Sequence, residues 1–80
     1  MFKDWQELET GLTGDLRSLR AGAPEVMKGF SALAQAALKA DALDTRTKEL
    51  IALALAVATR CDGCVAFHAE AAVKQGASRA

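Results

Sequence analysis

The chain has 80 residues, ten basic and ten acidic side chains, a formal net charge of +0 and 51% hydrophobic residues. Balanced charge excludes the basic footprint of a nucleic-acid binder and a polybasic membrane patch. A chain this short buries only about 60–65% of the surface its unfolded form exposes, so residues 1–80 read as one small domain, marginal as a monomer.

The first residues, Met1-Phe2-Lys3-Asp4-Trp5, contain no apolar core of a secretory signal. The near-apolar run from Leu50 to Ala58 is short of the ~20 residues that span a bilayer. The expectation is a cytoplasmic protein with no membrane partner and no nucleic-acid partner.

Alanine and leucine dominate, β-branched residues are sparse, and no segment alternates with period two. The sequence therefore predicts an all-α fold of about four helices. Trp5, Leu8, Leu12, Leu16 and Leu19 recur at spacings of three and four, which predicts a first helix over Asp4–Arg20. Its stripe packs on its own chain or on another subunit. Gly22 suits a helix C′ position and Pro24 the first turn of the next helix, with Glu25 near its positive end. Val26, Met27, Phe30, Leu33, Ala34, Ala37 and Leu38 trace an apolar face to about Lys39, with Met27 and Phe30 expected in the core.

After a short connection at Asp41–Leu43, Asp44 reads as the N-cap of a third helix from Thr45 to about Arg60. Its first turn is polar, and from Leu50 to Ala58 it is apolar on nearly every side. Such a helix is buried all round, and four short helices can hardly surround one. A partner subunit is expected to cover part of it. A fourth helix starts at Cys61 and runs to about Gln75, with Gly76 at C′. Ser78 then reads as a fresh N-cap, so a further helix is expected beyond Ala80, and the chain reads as a domain shortened at its C-terminus.

Reactive groups concentrate at Cys61-Asp62-Gly63-Cys64 and at His68. In a cytosolic chain, C-x-x-C points to catalysis or metal binding before a structural staple. A helix N-terminus favours the thiolate. Lowering a thiol pKa from ~8.5 to ~6.5 raises its thiolate fraction ~25-fold at pH 7, but nucleophilicity falls ~6–10-fold over the same two units. Helix placement alone therefore gives a net gain of only ~3–4-fold. A proton-handling partner is needed. Cys64 and His68 are i and i+4, so they share one helix face, and neutral imidazole can take the Cys64 proton and return it. Cys61 is close enough in sequence to close a disulfide with Cys64. Asp62 opposes thiolate formation if it faces the sulfurs, or serves as a cap.

Two other readings stay open on these residues. Cys61, Cys64 and His68 are three zinc-type ligands that Glu49 or a subunit partner could complete, giving a metal-binding structural or regulatory module. Alternatively, the cysteines are inert and His68 is a satisfied core histidine. Val65 stands where haem attachment requires histidine, so no haem is expected.

Glu49, eleven intervening residues, Cys61, two, Cys64, three and His68 form an E-x11-C-x2-C-x3-H string. This string resembles the signature of the alkylhydroperoxidase D-like branch of the carboxymuconolactone decarboxylase family. Gly22-Ala23-Pro24-Glu25-Val26 with Gly29-Phe30, Leu43 through Ala54, and Gly76-Ala77-Ser78 are similar to its small members.

The resemblance implies an all-α domain completed by oligomerisation into homo-trimers or hexamers. It implies a thiol peroxidase or disulfide oxidoreductase in antioxidant defence, with no cofactor or metal. It makes Cys64 the thiol that meets peroxide, Cys61 the thiol that resolves it, and Glu49 with His68 a proton relay. The implied partners are a peroxide or disulfide substrate and a dithiol reductant such as a lipoyl- or thioredoxin-like protein. The decarboxylase branch uses no cysteine pair, so the cysteines point away from that activity.

Geometry raises one difficulty. Glu49 lies ~16 Å of helix before Arg60, while His68 lies only a few residues into the next helix. In a tight antiparallel hairpin the two are expected to miss each other. They meet only if the helices cross or splay, or if Glu49 serves a neighbouring subunit.

Overall fold

The computed structural model describes residues 3–79 and contains four helices: α1 (Trp5–Gly22), α2 (Pro24–Leu38), α3 (Thr45–Ala58) and α4 (Asp62–Lys74). No strand occurs among the described residues. The all-α expectation holds. The chain divides into two compact units, Met1–Lys39 and Ala40–Ala80.

In the first unit α1 and α2 pack on each other. Asp4 caps α1, its carboxylate accepting from the Glu7 amide at 3.0 Å. Only Ala23 separates the helices. Its amide donates to the Leu19 carbonyl at 2.8 Å, and its carbonyl accepts from the Met27 amide at 3.1 Å. Gly22 therefore does not take the expected C′ position; it is the last residue of α1. Pro24 explains the difference. A proline pushes the residue before it out of the α region, so the break falls on Ala23 and no left-handed glycine is needed.

Met27 is buried as expected, but Phe30 is not core: it is 60% exposed, with Val26 at 70% and Leu33 at 68%. Within its unit α2 has one helix to pack against, which covers a single stripe. No residue of α1 is fully buried; Leu8, Leu12 and Leu16 are half-buried while Trp5 and Leu19 are exposed.

In the second unit α3 packs on α4. Asp44 caps α3 as expected, accepting from the Thr47 amide at 2.7 Å. Hydrogen bonds from Thr47 hold the Asp44 carboxyl below its ordinary pKa of 3.8. A lowered folded-state pKa means the cap stabilises above that value and is lost as pH falls through the folded one. Asp44→Ala is therefore expected to lower Tm near neutral pH, and the gap from wild type should close on acidification below about pH 4. Thermal melts across pH check this; a gap that persists at pH 2 would show that the cap charge is not its source.

Between α3 and α4 the chain makes a Schellman turn. The Cys61 amide donates to the Ala56 carbonyl at 3.0 Å and the Arg60 amide to the Val57 carbonyl at 3.2 Å. Arg60 occupies the left-handed position, with φ 59°. The same motif ends α4, where Gly76 has φ 93°. An L-residue pays roughly 1–2 kcal/mol at such a position, and glycine loses part of that advantage through its freer unfolded chain. Arg60→Gly is expected to stabilise the protein by about 0.5–1 kcal/mol, read by urea unfolding. A loss of stability would mean that the Arg60 side chain holds the turn.

The buried apolar residues of this unit are Ala56, Ala66 and Ala72. Their small size allows close approach of the helix backbones. Leu50, Ile51, Leu55 and Val57 of α3 are exposed within the chain, so, as expected, this chain alone does not cover α3 on all sides.

Candidate functional site

The Schellman turn delivers Cys61 to the N-cap of α4. Its sulfur accepts from the Cys64 amide at 3.3 Å, the bond that a serine or aspartate oxygen makes at an ordinary N-cap. Asp62 is therefore not the cap. It is the first helical residue, where its charge favours the helix end. Cys61 and Cys64 are joined as a disulfide with Cα atoms 5.2 Å apart, inside the usual range of about 4.4–6.8 Å. The two residues differ in exposure: Cys64 is exposed and Cys61 half-buried.

His68 lies one turn after Cys64 on the same face of α4. Its Nδ1 is 2.6 Å from Glu49 Oε2 on α3 of the same chain. Glu49 is 4% exposed and is the one buried charged residue among those described. With Glu49 as a carboxylate, which only accepts, the assigned tautomer has Nδ1 donating. That leaves Nε2 as the nitrogen able to take up or release a proton.

The geometric difficulty thus resolves within one chain. From Glu49 to Ala58 is ~14 Å of helix, and from Asp62 to His68 ~9 Å. The offset is ~5 Å, which the lengths of the two side chains cover. No neighbouring subunit is required to bring Glu49 to His68.

Glu49, Cys61, Cys64 and His68 therefore all lie on the packed α3–α4 pair. Sequence reasoning missed the capping role of Cys61 and the left-handed Arg60 that sets it there. Neither residue type is a usual marker for its position, and the signal was the end of the α3 apolar run at Ala58. Among the described residues no group of three or more His, Cys, Asp and Glu side chains is placed to hold a metal ion. Zinc ligation by Cys61 and Cys64 would also require both sulfurs as thiolates, which the disulfide excludes while it is closed.

Residues 24–80 match the model of the carboxymuconolactone decarboxylase family. The chain belongs to that family. A crystal structure of an apo carboxymuconolactone decarboxylase family protein from Legionella pneumophila superposes with a TM-score of 0.90 and 51% identity, covering 94% of this chain and 67% of that one. An uncharacterised Haemophilus influenzae protein is 45% identical over 72 residues, 90% of this chain and 64% of its own length. An uncharacterised Cupriavidus necator protein is 40% identical over 79 residues, 99% of this chain and 70% of its own. The chain thus spans about two thirds of the length of these relatives. Family membership and a C-x-x-C pair at disulfide distance are compatible with a redox role. None of the described helices is long and apolar enough to cross a membrane.

Proposed function

We propose that this chain is a thiol-dependent peroxidase or disulfide oxidoreductase of the alkylhydroperoxidase D-like kind. The observation that carries the reading is the conjunction of a Cys61–Cys64 disulfide with a His68–Glu49 pair one helical turn away. Cys64 thiolate attacks the O–O bond of a peroxide, giving the Cys64 sulfenic acid and releasing the alcohol or water. The Cys61 thiol condenses with it, forming the disulfide and water. An external dithiol, such as a lipoyl- or thioredoxin-like protein, returns both cysteines to thiols and is itself oxidised. His68 accepts the Cys64 proton and supplies one to the departing oxygen, with Glu49 holding the ring in the required tautomer.

Exposed apolar stripes support assembly into a homo-oligomer. Val26, Phe30 and Leu33 line one face of α2, and Leu50, Ile51 and Leu55 are exposed on α3. Apolar side chains exposed together on a helix are costly in water and favour burial against another surface.

The test is a thiol titration of reduced protein with stoichiometric peroxide. Both thiols are expected to disappear and to return with a dithiol. Thiols that persist through several equivalents of peroxide would overturn the peroxidase reading.

A further inference from the structure

Building on the disulfide-cycling role proposed above, we infer that the reducing partner attacks Cys64, so that Cys61 leaves as the thiolate. Two independent features of the site point the same way. The first is access. Cys64 is exposed while Cys61 is half-buried at the α3–α4 turn. Displacement at sulfur needs an open approach to the attacked atom. The second is the leaving group. Cys61 is the N-cap, and its sulfur already accepts the Cys64 amide at 3.3 Å. When the S–S bond breaks, that contact becomes a hydrogen bond to an anion, and such bonds are about twice as strong as neutral ones. The partial positive charge of the α4 N-terminus adds to it. A better-stabilised leaving thiol departs faster. Among the described residues no backbone amide donates to the Cys64 sulfur, whose help as a leaving group would come from His68 alone; its own amide is the group that caps Cys61.

The step balances. The partner thiolate supplies the electron pair, an S–S bond forms between partner and Cys64, the Cys61–Cys64 bond breaks, and Cys61 keeps the bonding pair. A second partner thiol then attacks the partner sulfur of the mixed disulfide. Cys64 is released as thiolate and takes its proton through His68. Cys64 is thus the sulfur that reacts with the outside molecule in both half-cycles, while Cys61 stays at the helix cap. The partner surface this demands is a dithiol on a protrusion that can reach one exposed sulfur.

The experiment uses wild-type protein oxidised with diamide, which closes the disulfide whether or not peroxide is a substrate. Oxidised protein is mixed with 2-mercaptoethanol, quenched in acid on the millisecond scale, alkylated and peptide-mapped. The initial rate of mixed-disulfide formation on Cys64 is expected to exceed that on Cys61 by roughly tenfold or more. Equal rates, a preference for Cys61, or no mixed disulfide at all would overturn the assignment. A failure of reduced protein to consume peroxide would overturn the peroxidase reading and leave this result standing.

Discussion

If Cys64 is the nucleophile, as proposed, replacing it by serine is expected to lower peroxide turnover by at least about 10³-fold. Cys61→Ser should fail differently. Cys64 remains exposed, one turn before His68, and is expected still to attack peroxide. The sulfenic acid then has no resolving thiol, so one equivalent is consumed and cycling stops. Further peroxide drives Cys64 to the sulfinic acid, which the dithiol does not reverse. Neither change should unfold the chain. Serine is a better N-cap than cysteine, so the start of α4 is kept in Cys61→Ser. In Cys64→Ser the capping amide is unchanged, since it belongs to the backbone. Stopped-flow peroxide consumption with intact-mass analysis reads both outcomes. If Cys64→Ser consumes peroxide at the wild-type rate, or if Cys61→Ser is the variant that fails to react once, the roles are assigned the wrong way round.

The scaffold was legible where a residue's local chemistry decides its conformation. Asp44 caps α3 and Pro24 starts α2 because a short acidic side chain and a fixed φ act within one turn. Gly76 takes its left-handed position for the same local reason. Legibility failed where a neighbour overrides the residue. Gly22 looked like a helix end, but Pro24 moves the break to Ala23. Arg60 and Cys61 hold positions that glycine and serine usually fill, so composition gave no warning of the Schellman turn that aims Cys61 at α4. Burial was the least legible property. Phe30 sits in a clean helical stripe yet is exposed in the chain, because periodicity reports which residues share a face and not whether anything covers it. The candidate site was proposed from a string of residue types. The Glu49–His68 contact was not, since it depends on a ~5 Å offset between helices that side-chain length decides.

That contact carries the second large effect. His68→Asn is expected to lower peroxide turnover ~10²–10⁴-fold, the usual range for loss of a positioned acid–base group. Asparagine can still offer an N–H to Glu49 but cannot exchange a proton near neutral pH. The buried carboxylate therefore keeps a partner, and the folded state should persist. His68→Ala is the contrasting case. It leaves Glu49, 4% exposed, without its hydrogen-bond donor and should cost about 1–3 kcal/mol of stability as well. Glu49→Gln probes the other end. Glutamine is the same size but uncharged, so it no longer opposes the positive charge that appears on the ring when His68 takes the Cys64 proton. Its amide can also donate to Nδ1, which stabilises the tautomer with the hydrogen on Nε2 and blocks that nitrogen as a base. A loss of ~10–100-fold is expected, smaller than for His68→Asn because the glutamate acts through the ring. The decisive measurement is the double variant. If the two residues work as one relay, Glu49→Gln/His68→Asn should be no slower than His68→Asn alone. Losses that multiply would show that Glu49 acts on the chemistry by a route that does not pass through His68.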